Sequence, residues 1–394
     1  MRSGFLLLKI NDIDKHQNLS YDFDVEESVD RLLYPQPSQA KTTIHEYLTL
    51  FPKTRYYGSK KRILGWIYDN LKDLEFQNVL DCFGGTASVS LLFQAMGKNI
   101  TFHDALQSNT ISAKVLLRGG ISSKQLIKFE NFFNEIKPIQ TGFISQTFQT
   151  IYFTDEENNW LDGAIEAIKS LKNKSDRELC LYVLFQASMM KRPYNLFHRA
   201  NLYLRNADVK RSFGNLTTWN TPFPETTKKI LFELHKLPNR HEHDFCVLSP
   251  SSAEDIPAKY DLVYIDPPYI SDTTKNDGYW KKYHFLEGIA QYDKWHSMID
   301  NSHKTKMLHM NPHIKKWESK HEFTQRLFNL IEQHKNSIVV LSYMTNAIPS
   351  VKELEELFRL HFKNVILNIH PLNHALAKTK RTEILLIGVP FGTI

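Results

Sequence analysis

The stretch NVLDCFGGTASVSLLFQAMGKNITFHD, residues 78–104, constrains the fold more than any other part of the chain. Its first six residues form an apolar run of the length of a buried strand. Gly84 and Gly85 permit a tight turn, and Thr86 or Ser88 is placed to cap a helix. Val89, Leu92, Phe93 and Met96 then share one helical face. NITFHD follows as a second strand. Strand, turn, helix and strand in this order make the repeating unit of a parallel α/β sheet, because the helix must carry the chain back before the next parallel strand can start. Apolar runs return from residue 245 in FCVLS, DLVYI, SIVVLS, NVILNI and EILLIG. Between the two groups, residues 108–190 read mainly as helix and 191–222 as a basic, irregular stretch. The expected architecture is one α/β domain, 46–107 and 240–394, interrupted by a mainly helical insertion, 108–239. Residues 1–45 form a lead-in to which the sequence assigns no role.

Bulk properties bound the chemistry loosely. A length of 394 residues suits two domains, or one domain with a large insertion. A net charge of +6 permits a polyanionic partner without demanding one. No apolar stretch approaches the roughly 18–20 residues of a membrane span, and the opening FLLL run is too short for a secretory signal. Cys82, Cys180 and Cys246 are far apart and unpaired in sequence, so neither a disulfide framework nor a zinc site is expected. No metal is expected at all, and the reducing cytoplasm is the expected setting.

Two features point to a bound adenosine. The turn DCFGGTAS would bring backbone N–H groups close to a ligand, but it lacks the GxGxxG spacing that suits a pyrophosphate. Asp104 ends the second strand, about 20 residues beyond the glycines, where an acid can accept hydrogen bonds from ribose hydroxyls. Alone, it could equally cap the following helix. Upstream, in TRYYGSKKRILGWI, Ser59 can cap a helix whose first turn carries Lys60. A cation there opposes the helix dipole, which hints at another use.

LVYIDPPYIS, residues 262–271, carries the chemistry. A central strand should end at Asp266, in the ligand crevice of the sheet. Pro267 and Pro268 fix the backbone and donate no hydrogen bond, and Tyr269 adds a flat ring. An aromatic exocyclic amine is a poor nucleophile because its lone pair is delocalised. Two fixed acceptors, the Asp266 carboxylate and a prolyl carbonyl, would let the nitrogen pyramidalise towards a methyl donor. Tyr269 would stack on the base, a contact worth about 1–3 kcal/mol. A paired base cannot reach such a pocket, so base flipping is implied.

With these motifs in this order, the chain resembles the Dam-like, α-group N6-adenine-specific DNA methyltransferases over about residues 54–390. The resemblance implies a Rossmann-like S-adenosylmethionine-dependent methyltransferase sheet with an inserted, mainly helical target-recognition domain. It assigns cofactor contacts to Tyr56 and Lys60 in YYGSK, to Phe83 and Gly85 in FGGTA, to Asp104 and to Asp266. It assigns catalysis to Asp266, Pro267, Pro268 and Tyr269. Two departures stand out: Ala87 replaces the second glycine of the turn motif, and Ser252 stands where the family places an acid near the cofactor adenine.

The segment 189–223 interleaves Lys191, Arg192, Arg199, Arg205, Lys210 and Arg211 with aromatics, which suits phosphate and base contacts. Tyr279, Tyr283 and Phe285 are expected either to wall the base pocket or to pack a helix face. The expected partner is double-stranded DNA, with no membrane, and the expected setting is restriction–modification or phage defence, with a cognate restriction endonuclease encoded nearby. Methylation of cytosine N4 and a catalytically silent DNA-binding module on the same fold are the alternatives.

Overall fold

A computed structural model describes residues 43–207, 216–238, 244–270, 278–372 and 381–392. The lead-in, apart from its last three residues, lies outside them, as do Lys210 and Arg211. Seven strands form one sheet: β1 Asn78–Asp81, β2 Asn99–Phe102, β3 Phe245–Val247, β4 Leu262–Ile265, β5 Ile338–Met344, β6 Asn364–Leu372 and β7 Arg381–Val389. Their order is β3-β2-β1-β4-β5-β7-β6. The pairs among the first five are parallel, and β7 runs antiparallel between β5 and β6. All seven apolar runs expected as strands are strands.

The sheet is buried on both faces, which is why its strands read as unbroken apolar runs rather than alternations. Alternate residues still separate cleanly. Val79, Leu262, Tyr264, Ile338, Val340, Leu385 and Ile387 join one hydrophobic cluster. Leu80, Val263, Ile265, Val339, Leu341, Ile384 and Leu386 join the other. The second face is covered by the helices Lys320–Gln333 and Val351–His361, through Phe323, Leu327, Leu354 and Phe358. The first face shares its cluster with the helices Gln107–Leu117, Asp155–Ser170, Lys174–Met190, Phe223–His235 and Tyr279–Ala290. Residues 41–394 form one compact unit. Among the described residues, no helix is long and apolar enough to cross a membrane.

Two local devices shape the end of the sheet where β1, β2 and β4 stop. The turn after β1 does not use the expected hydroxyl cap. Helix Ser88–Ala95 starts from Ala87, at φ 57° and ψ 16°, with no side-chain cap. Thr86 and Ser88 instead hydrogen-bond to each other at 2.8 Å. Ala87 thus adopts a left-handed conformation in which glycine would be more at ease. Helix Gln107–Leu117 also lacks a local cap, and a distant acid supplies it. The buried Glu287 carboxylate accepts from the backbone N–H groups of Gln107 and Ser108, each at 3.0 Å. A negative charge on these orphan donors also suits the helix dipole.

Gly84 is required by close approach rather than by its own dihedrals. A Cβ there would lie 2.1 Å from the Phe102 ring. Gly84→Ala should therefore lower unfolding stability by about 1–3 kcal/mol, as overpacking does, measured by urea denaturation.

Candidate active site

The crevice lies beyond the carboxyl ends of β1, β2 and β4, at the point where the chain order reverses between β1 and β4. Its cavity volume is about 110 Å³. Tyr56, Lys60, Phe83, Gly85, Asp104, Asp266 and Pro268 all line it. Seven residues expected from four separate segments therefore meet in one cleft. Asp266 and Asp104 border the same space.

On the β2 side, Asp104 is held by backbone. Its Oδ2 accepts from Gly85 N–H at 2.9 Å and its Oδ1 from Leu106 N–H at 2.8 Å. It ties the glycine turn to the start of the next helix, and it lines the cleft. Burial raises its pKa, and the Leu106 and Gly85 N–H groups and Asn109 oppose the rise. Tyr56 is fixed by stacking. Its ring lies 4.0 Å from Tyr283 and 5.6 Å from Tyr279, nearly parallel to both, and its hydroxyl accepts from Asn109 Nδ2 at 3.1 Å. Ser59 does cap the following turn, accepting from Lys61 N–H. Of the three aromatics left open between pocket and packing, Tyr279 lines the cleft and Tyr283 backs Tyr56. Phe285 is core, stacked on Phe197 at 4.9 Å.

On the β4 side, Asp266 leaves the strand with its side chain 19% exposed. Pro267 is buried, and beyond Tyr269 the chain is pinned by Ile348 N–H donating to the Ile270 carbonyl at 2.8 Å. Lys60 Nζ lies 2.9 Å from Asp266 Oδ1, 2.6 Å from the Tyr269 hydroxyl and 2.6 Å from Glu383 Oε1. The Tyr269 hydroxyl is itself within donating distance of Asp266 Oδ1, 2.8 Å, and Glu383 Oε1, 2.6 Å. Lysine and tyrosine both engage Oδ1, and among the described residues Oδ2 carries no hydrogen bond. Tyr269 therefore does more than offer a ring. Its ring also packs edge-on against Tyr343 at 5.5 Å, with Lys60 Nζ over it at 4.8 Å.

Electrostatics follow from burial. Desolvation pushes Asp266 up to about 6, with Lys60 pulling it down and Glu383 pushing it further up. Burial alone would lower the Lys60 ammonium, but the Asp266 and Glu383 carboxylates outweigh it and raise its pKa. Burial, reinforced by the same carboxylates, keeps the Tyr269 phenol protonated. Asp81, at the end of β1, is pushed up to about 7 by burial, although Ser90 Oγ donates to it at 2.6 Å.

Several site groups escaped the sequence. Glu383 opens an apolar strand run, and its only mark was being an acid there. Trp317 and Glu318 line the cleft without any sequence motif to mark them, and Trp317 meets Phe83 edge-on at 4.9 Å. Ser252 is buried and lines the cleft, but its hydroxyl is already donated to Glu254.

The basic segment needs correction. Lys191 and Arg192 are each 1% exposed and Arg205 8%, so these three do not present their charges at a surface. Lys191 pairs with Glu157 at 2.8 Å and donates to the Trp219 carbonyl. Arg205 makes a bidentate pair with the same Glu157, at 2.7 and 2.8 Å. Arg192 donates to the carbonyls of Tyr152 and Arg199, each at 2.9 Å, and to Asn201. They are internal struts that close backbone acceptors in an irregular segment. Arg199 is exposed.

A mainly parallel sheet with a crevice at its switch point, an acid just beyond the second strand and an acid–proline turn after the fourth make a Rossmann-like arrangement suited to a transferase. Residues 56–346 match the family described as D12 class N6 adenine-specific DNA methyltransferase, and the chain belongs to that family. It is also 23% identical over 244 residues to the Type II methyltransferase M2.HphI of Haemophilus parahaemolyticus, covering 58% of this chain and 69% of the relative. Its activity is adenine-specific DNA methylation, and its substrate is DNA.

Among the described residues, Lys60 is the single cation paired with Asp266 and Glu383, so its removal should be costly and pH-dependent. Lys60→Met is expected to destabilise the protein by about 3–5 kcal/mol above neutral pH, where Asp266 and Glu383 are left buried and unpaired. The deficit should shrink in mild acid as Asp266 protonates, which urea unfolding at both pH values would measure.

Proposed function

We propose that the chain transfers the methyl group of S-adenosylmethionine to N6 of an adenine flipped out of double-stranded DNA. The observation that carries this reading is the Asp266 carboxylate, tied by Lys60 and Tyr269 through Oδ1, with no hydrogen bond on Oδ2 among the described residues, in the cleft that Asp104 also lines. The residues present fit the methyl donor. Asp104 suits ribose hydroxyls, the Gly84–Gly85 turn leaves room for close approach, and Phe83 and Trp317 give an aromatic wall for an adenine. When bound, S-adenosylmethionine supplies a methyl group on a positively charged sulfur, and a cleft rich in carboxylates suits that charge.

Asp266 Oδ2 accepts one N–H of the target amine and a prolyl carbonyl accepts the other. With both N–H bonds held, the nitrogen lone pair is turned out of the ring plane. This is positioning and fixed electrostatics, without a covalent intermediate on the protein. Tyr279 and Tyr269 furnish aromatic surface near the acceptors. The type II name of the relative supports a restriction–modification setting, in which an endonuclease of matching sequence specificity is the partner this reading expects, in the cytoplasm.

Asp266→Asn should abolish methylation of DNA while the protein folds at least as stably, because the ionised carboxylate is disfavoured by burial. Retained methylation, measured as N6-methyladenine after nucleoside digestion, would reject the mechanism, and N4-methylcytosine in its place would reject the base. The acceptor must be ionised, so kcat should fall roughly tenfold per pH unit below about 6. In the folded protein the same raised pKa makes stability fall as pH rises through about 4 to 6.

The exposed Arg199 remains a phosphate contact in this reading, together with Lys210 and Arg211. Arg199→Ala should weaken DNA binding across sequences and reduce the salt slope of log K by about 1 without changing stability. Arg205→Ala should instead destabilise the fold, because Glu157 loses its bidentate partner.

A further inference from the structure

One acid in the site has no part in the mechanism above. Glu383, near the start of β7, is 3% exposed. Lys60 Nζ and the Tyr269 hydroxyl each lie 2.6 Å from its Oε1, and Ser342 Oγ on the adjacent β5 donates to the same oxygen at 3.1 Å. Lys60 and Tyr269 are also the two groups on Asp266 Oδ1, at 2.9 and 2.8 Å. Two carboxylates therefore share one ammonium and one phenol proton. Without Glu383, the Tyr269 hydroxyl would be the one remaining anchor among the described residues for the flexible ammonium at that edge of Asp266, and lysine could swing to bridge both oxygens.

We infer that Glu383 is a positioning residue for methyl transfer: it draws Lys60 and Tyr269 to the Oδ1 edge of Asp266 and so keeps Oδ2 free for the target amine. This rests on the reading of Asp266 as the acceptor of that amine. Glu383 also divides the positive charge of Lys60, which leaves Asp266 a stronger acceptor than a private ion pair would. The other titratable groups facing the two acids are Tyr264 on β4, Tyr279 on the helix Tyr279–Ala290 and Asp81 at the end of β1. The two phenols are held protonated by burial. Asp81 adds to the negative charge around Asp266.

The test is Glu383→Gln, which keeps the shape and removes the charge. Steady-state methylation of DNA across the acid range should show kcat lowered by roughly tenfold or more, with KM for DNA nearly unchanged. The acid limb of kcat should move below its wild-type position, because Asp266 loses a like charge and gains Lys60 undivided. Calorimetric titration with S-adenosylmethionine should still show binding. An unchanged kcat and limb overturn the inference, as does a loss of kcat that only tracks the folded fraction. If Glu383→Gln does not fold, Ser342→Ala reads the same coupling in the opposite sense. Losing one donor, Glu383 competes harder for Lys60 and Tyr269, so the limb should move upward, and a limb that stays in place overturns the inference. A wild-type protein that does not methylate DNA removes the underlying reading, whereas an active wild type with an unaffected Glu383→Gln removes this inference alone.

Discussion

One buried ammonium between two carboxylates holds the site together. Lys60 comes from the turn before the first long helix, Asp266 from the exit of β4, and Glu383 from β7 at the far side of β5. None of these segments is near another in sequence. Lys60 is 7% exposed and Glu383 5% at the side chain, so the pair forms only when the fold has brought all three segments together. Buried charge of this kind is expensive, and hydrophobic replacements would commonly be no less stable. Its value lies in specifying where an acid points. With lysine and tyrosine on one oxygen, the other oxygen of Asp266 has a defined direction.

The sheet supplies that direction because of its order. β1 and β4 are neighbours, but the chain leaves them to opposite sides, so the loops after them diverge and open a crevice between. The turn after β1 is narrow, since Gly84 abuts the Phe102 ring and Gly85 N–H is bound by Asp104. Asp81, Asp104 and Asp266 then end three adjacent strands. A crevice with one lysine and several carboxylates has a negative interior even where burial keeps some of them protonated, and such an interior favours a cationic ligand.

How much of this the sequence discloses depends on the range of the interaction. The strands were legible because two-sided burial leaves unbroken apolar runs, and Asp266–Tyr269 because the motif is contiguous. Asp104 was legible because its distance from Gly85 is set by one strand–helix–strand unit. Glu383 was not, since Ser342, Tyr269 and Lys60, its partners, lie 41 to 323 residues away and an acid beside an apolar run has no signature of its own. Lys191, Arg192 and Arg205 misled for the converse reason. Basic residues in an irregular segment look solvated, yet unpaired backbone carbonyls in such a segment need donors, and long cations supply them when folded inward. Glu157, which neutralises two of the three, lies on a helix 34 residues before Lys191, beyond any local pattern. Ala87 is intermediate. Its departure from glycine was visible, but its left-handed backbone was not.

These inward cations bear on how the helical part meets the site. Arg192 and its acceptors fix residues 192–201, and within that stretch Phe197 N–H donates to the Lys282 carbonyl at 2.9 Å, while Phe197 stacks on Phe285. Lys282 and Phe285 belong to the helix Tyr279–Ala290, whose Tyr279 lines the cleft and whose Tyr283 stacks on Tyr56. The same helix caps Gln107–Leu117 through Glu287. One helix thus seats the segment that carries the exposed Arg199, one wall of the cleft and the start of the helix after Asp104. A shift in that helix would be felt in all three places at once. Under the proposed function, the packing therefore ties the segment of Arg199 and the acceptor groups of the cleft to one helix, and the buried charges of 191–205 act as fasteners rather than as reading heads.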